Sequence, residues 1–163
     1  MKTINQKITA AGLAVLVLCA ATAGAGLWTS RDLTGGLQST LKSSSVLRNH
    51  MEADMMHDAL RADVFSALLA SNPANGVSAD QVRQDLAEHT DSFRAALAEN
   101  EKLATDPQTR QALAAVRAPL DTYIAGAQHM VELASSDPAA AQAGMPQFLA
   151  QFSELEDAMG KAT

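Results

Sequence analysis

Ser78 to Leu103 reads SADQVRQDLAEHTDSFRAALAENEKL, and the fold class turns on this stretch. Val82, Leu86, His89, Phe93, Ala96, Asn100 and Leu103 follow one another by alternating steps of four and three. On a helix of ~3.6 residues per turn that alternation keeps a single stripe on one side. It is the seam of helices packed nearly parallel, crossing at about 20°. Ser78 stands where an N-cap belongs, and Gln81 follows three residues later, the spacing of a capping box.

The same reading extends in both directions. Ser71-Asn72-Pro73-Ala74-Asn75-Gly76 is a turn cluster, and Thr105-Asp106-Pro107 and Ser135-Ser136-Asp137-Pro138 each place Pro behind a capping residue. These breaks predict helices over 31–70, 78–104, 107–135 and 138–163. The third helix steps through Leu113, Val116, Leu120, Tyr123, Ala127 and Met130, and the fourth carries Phe148, Phe152, Leu155 and Met159. In the first helix the stripe traced from Leu33 and Leu37 passes through Thr40, Ser44, Leu47, Met51, Asp54, Asp58, Arg61, Phe65 and Leu68. Short connections make neighbours antiparallel. The expected fold is all-α, an antiparallel up-down-up-down four-helix bundle continuous with an N-terminal transmembrane helix. Pro119 and Pro146 fall inside helices three and four, where each is expected to bend the helix or remove one backbone hydrogen bond.

Composition agrees. Aromatics make up 4% of the 163 residues, too few for a β-sandwich or barrel. The net charge of -6 argues against a nucleic-acid partner. The one Cys, Cys19, excludes an internal disulfide, a Cys-rich zinc site and covalently attached c-type haem. No Gly-rich phosphate loop, nucleophile elbow or HExxH pattern is present, so the chain reads as a non-enzyme without a cofactor.

Lys2 and Lys7 precede ITAAGLAVLVLCAATAGAGLW, Ile8 to Trp28. At ~1.5 Å per residue this run can cross a ~30 Å hydrocarbon layer. The chain then divides into a cytoplasmic N-terminus, 1–7, a transmembrane signal anchor, 8–29, and an extracytoplasmic bundle, 30–163. Basic residues before the run and acidity after it orient it with the N-terminus inside. Residues 31–163 carry ten basic and eighteen acidic residues, a net -8. The competing reading is a cleaved signal peptide, since Ala21-Thr22-Ala23 and Ala23-Gly24-Ala25 both fit the small-x-small pattern. Helix one is expected to outrun its partners near the membrane unless helix four continues, which points to a longer functional chain.

Polar residues interrupt the first seam. Asp54, Asp58 and Arg61 occupy successive seam positions, and counting back from a loop centred near residue 74 sets Asp58 level with His89. Three readings follow. The four residues pair with one another and set helix register; or they bind a small ligand, Arg61 and His89 taking an anion and Asp54 and Asp58 a cation or amine; or helix one is rotated and they face solvent. His50 and His57, seven apart with Asp54 between them, are candidate metal ligands. Their ~10 Å axial separation is wider than the usual i, i+4 pair.

An apolar anchor running into a long helix that opens an acidic four-helix bundle resembles the sensory half of bacterial methyl-accepting chemotaxis receptors. The run MEADMMHDALRADV, Met51 to Val64, is similar to a first-helix segment of one subgroup of them. The resemblance covers the whole chain as architecture and this run as motif. It implies a homodimer in the bacterial inner membrane with its bundle in the periplasm, a small-molecule or protein ligand, and chemotactic signal transduction. A second span, a HAMP-type linker and a methylated signalling rod would lie outside these residues. The alternative is a secreted or membrane-anchored periplasmic bundle with a chaperone-like or cofactor-binding role.

Overall fold

In a computed structural model the described residues are 3–162, apart from the side chains of Lys7 and Ala10. Lys2 and the Lys7 side chain, both used above to orient the apolar run, lie outside that set. Four helices follow one another: α1 Ile4–Ala70, α2 Ala79–Leu103, α3 Pro107–Ser136 and α4 Pro138–Lys161. They pack antiparallel, as the seams require.

Each break is made by the residues expected to make it. Asp106 Oδ1 accepts from the Thr109 amide at 2.8 Å and starts α3, and Asp137 Oδ1 accepts from the Ala140 amide at 3.0 Å and starts α4. Ser78 Oγ accepts from the Gln81 amide at 3.3 Å. The reciprocal half of the capping box does not form, because the Gln81 side-chain amide donates to Asp85 Oδ1 instead, at 2.8 Å. Between α1 and α2 a 3-10 turn, Pro73–Asn75, is capped by Asn72 and closed by Gly76 at φ +69, a left-handed conformation that suits glycine. Pro119 and Pro146 both lie inside helices that continue past them.

The chain divides into two packing units, Met1–Ser44 and Ser45–Thr163. From Ile4 onward the first is helix, including Gly24, Gly26, Gly35 and Gly36. Its threonines turn their hydroxyls back onto their own helix: Thr9, Thr22, Thr29, Thr34 and Thr40 donate to carbonyls four residues earlier at 2.7–3.0 Å. Polar groups in an apolar segment are thereby satisfied without water. By length and composition this part of α1 can cross a membrane; a signal sequence passes the same test.

The second unit is the bundle. Leu60 and Val64 of α1, Phe93 of α2, Val116, Tyr123 and Ile124 of α3, and Phe148 and Leu155 of α4 are its largest fully buried side chains. Burying each contributes about 1.5–3 kcal/mol. Small residues contribute as well: Ala127 and Ala134 of α3 and Ala141 of α4 are buried. The seams of α2, α3 and α4 fall where the sequence placed them, with Val82, Leu86, Phe93, Leu113, Val116, Phe152 and Met159 inside.

The seam of α1 is corrected. Its inner stripe is Ala53, His57, Leu60, Val64 and Ala67, one residue earlier than expected. One residue is a rotation of ~100°. The stripe expected from the sequence starts at apolar residues nearer the N-terminus, and those within the bundle unit, Leu47 and Met51, are exposed. Apolar character there does not mark the core, and following it placed the charges inside.

Candidate functional site

The rotation of α1 determines what the polar residues touch. Asp54 and Asp58 are exposed and Arg61 is half-buried. Arg61 Nη2 donates to Asp58 Oδ1 at 2.7 Å, one turn away on the same helix. The expected single layer of Asp54, Asp58, Arg61 and His89 does not assemble. His89 Nδ1 lies 2.7 Å from Asp63 Oδ2, with Asp63 buried and His89 half-buried. This contact sets the hairpin midpoint at Gly76 rather than near residue 74, because the 3-10 turn and its left-handed closure extend the connection. His89 therefore meets α1 five residues beyond Asp58.

His57 occupies the centre. Its ring is buried at 3% exposure against Phe93, Tyr123 and Phe152. Nε2 is 3.0 Å from the Phe152 carbonyl oxygen, and the Tyr123 hydroxyl donates to the His57 carbonyl at 2.9 Å. One residue of α1 thus engages α3 and α4 by hydrogen bonds and α2 by a ring edge. Tyr123 also stacks on Phe148, centroids 5.2 Å apart. On the rim, the Arg61 guanidinium carbon lies 4.1 Å from the centroid of the Phe152 ring, a cation–π contact. The residue read as a metal candidate is a core histidine. His50 is half-buried, and no group of three or more His, Cys, Asp or Glu side chains is arranged to hold a metal ion among the described residues.

Electrostatics follow burial. Desolvation pushes the His57 pKa below its usual value, against the backbone hydrogen bond to Phe152 and the fields of Asp58, Glu156 and Asp54. Desolvation pushes the Asp63 carboxyl up, opposed by its hydrogen bond to His89. It also raises the Tyr123 hydroxyl, which stays a neutral donor.

A second feature lies between α2 and α3, a cleft of about 250 Å³ lined by Arg94, Leu97, Glu101, Arg117, Leu120 and Asp121. Its charges are matched in pairs. Arg94 Nη2 donates to Asp121 Oδ1 at 3.1 Å, and Arg117 grips Glu101 with two nitrogens, Nε at 2.6 Å. The Arg117 guanidinium holds the Glu101 carboxyl below the usual range. A charged ligand entering this cleft would have to displace one of these partners.

Sequence reasoning passed over Asp63 and misplaced His57. A signal for both was available: the stripe one residue earlier is apolar at four of its five positions, so it buries fewer charges than the stripe through Asp54, Asp58 and Arg61. No family model, curated protein sequence or solved structure matches this chain.

Proposed function

We propose that this chain is the sensing portion of a membrane-anchored bacterial receptor of the chemotaxis type, responding to a small molecule or a protein at its bundle. The observation that carries the reading is the composition of α1. A single helical element, Ile4–Ala70, contains both the apolar segment able to cross a membrane and the residues, His57 and Asp63, that tie the bundle's helices together. A stimulus signals only if it favours one helix arrangement over another by a differential free energy. Packed helices have discrete arrangements, so a shift of α1 against its partners supplies two such states.

A second copy of the chain completes this reading. α1 has an outer stripe as well as an inner one. Met51, Met55, Phe65 and Leu69 are exposed, and with Asp58 and Ala62 between them they keep the four–three stepping; Leu47, four residues before Met51, is exposed as well. Asp58 is already neutralised by Arg61. A stripe of this kind on one helix is self-complementary about a two-fold axis, each residue meeting its own copy.

N-terminal sequencing of the membrane-extracted protein tests the anchor. Retention of the segment from Ile8 to Trp28 is expected. A mature start at Gly24 or Gly26 overturns the receptor reading and leaves the secreted bundle.

A further inference from the structure

Among the described residues, α1 buries two polar side chains, His57 and Asp63, and both are titratable. Their side chains tie it to α4 and α2: the His57 ring reaches the Phe152 carbonyl and Asp63 reaches His89, while the Tyr123 hydroxyl of α3 donates to the His57 backbone carbonyl. The geometry points to the proton as a stimulus that this bundle registers: proton uptake by His57 places a charge among the buried rings of α2, α3 and α4 and loosens the attachment of α1 to them. The consequence for signalling rests on the receptor reading above; the proton uptake itself does not.

The Phe152 carbonyl can only accept, so the hydrogen of a neutral His57 sits on Nε2 and leaves Nδ1 bare. An added proton must go to Nδ1, since Nε2 already carries one. The resulting cation would lie among Phe93, Tyr123 and Phe152, whose centroids are 6.4, 5.2 and 3.9 Å from that of the imidazole. Charged and titratable groups act on it from each side. Asp54 and Asp58 of α1 and Glu156 of α4 favour the proton. Arg61 of α1 lies over the Phe152 ring. Tyr123 of α3 stays neutral, and α2 presents Phe93, its own histidine being engaged by Asp63. Burial outweighs the three carboxylates.

The sign follows by linkage. A detached α1 exposes a histidine that protonates around the ordinary value of 6.5, whereas the packed one protonates only at lower pH. Attachment is therefore strongest above that value and weakens as pH falls below it. Asp63 acts in the opposite sense. Its carboxyl is raised above 3.8 in the packed state, so its contribution declines as pH rises from there.

Hydrogen exchange of the full chain in lipid nanodiscs, from pH 7.5 to 5, tests this. After correction for intrinsic rates, exchange of amides 53–67 is expected to quicken with acidification, approaching about tenfold per pH unit at the steepest. His57→Gln keeps an N–H for the Phe152 carbonyl without titrating, and its exchange is expected to be flat. An equal slope in the variant overturns the inference. Should that variant fail to fold, ring titration in the unmodified protein decides: a His57 midpoint below that of exposed His129 supports it, and one at or above His129 overturns it. A fusion to a receptor signalling module that stays silent to every stimulus, while the slope is present, overturns the receptor reading alone.

Discussion

The imidazole of His57 lies nearly parallel to the ring of Phe152, with 3.9 Å between centroids and 8° between planes, while its Nε2 lies 3.0 Å from the same residue's carbonyl oxygen. α1 thus meets α4 through both the side chain and the backbone of one residue. Phe152→Leu removes the stack and keeps the carbonyl. A loss of about 1–3 kcal/mol in urea unfolding is expected, from the smaller side chain and the lost ring contact.

The rotation of α1 separates neighbouring positions sharply. Leu60 is completely buried and Asp58 is exposed beside it. Leu60→Ala is expected to cost about 2–5 kcal/mol, and Asp58→Ala to stay within about 0.5 kcal/mol. Chemical denaturation of both variants checks this. The reverse order would restore the seam through Asp58 and Arg61.

A Cβ on Gly126 would sit 2.0 Å from Gln151 Oε1 and 3.1 Å from its Cδ. Both atoms belong to the far end of a flexible side chain, so the amide can swing aside. Alanine in a helix interior gains about 1 kcal/mol over glycine. Gly126→Ala is therefore expected to raise the melting temperature slightly, as differential scanning calorimetry would show.

Acid should expose the Arg117–Glu101 pair. The guanidinium holds the Glu101 carboxyl below its ordinary value of 4.5, so the packed state keeps Glu101 ionised where an unfolded chain has begun to protonate it. The pair's contribution is present above 4.5 and is lost as pH falls through the lower, folded value. In Arg117→Ala, NMR titration of Glu101 should move toward the ordinary range, and that share of the acid dependence should vanish.

The outer stripe of α1 makes a prediction about association. Met51→Glu combined with Phe65→Glu puts two charges on exposed apolar positions and leaves the inner stripe untouched. For the dimer proposed above, analytical ultracentrifugation in detergent is expected to show the variant monomeric at concentrations where the unmodified chain is paired; equal association of the two would overturn that dimer. Thermal unfolding of the bundle should change little.

Much of the fold was legible because its signals are local. Ser78, Asp106 and Asp137 cap their helices through their own neighbours, and Pro107 and Pro138 begin helices whatever packs against them. The seams of α2, α3 and α4 each offer one apolar stripe and so one way to turn. The candidate site was less legible. Asp63 and His89 are 26 residues apart, and their contact depends on how far the Pro73–Asn75 turn extends the hairpin. No periodicity within either helix contains that length.

From the amino-acid order alone came the number of helices, their ends, their antiparallel course and the apolar segment at the start of α1. Packing alone decided how α1 is turned about its own axis, and with it that His57 and Asp63 are inside while Asp54 and Asp58 are outside. Caps, prolines and helical period act within a few residues of themselves. A helix that carries two stripes is compatible with either orientation until three other helices cover one of them.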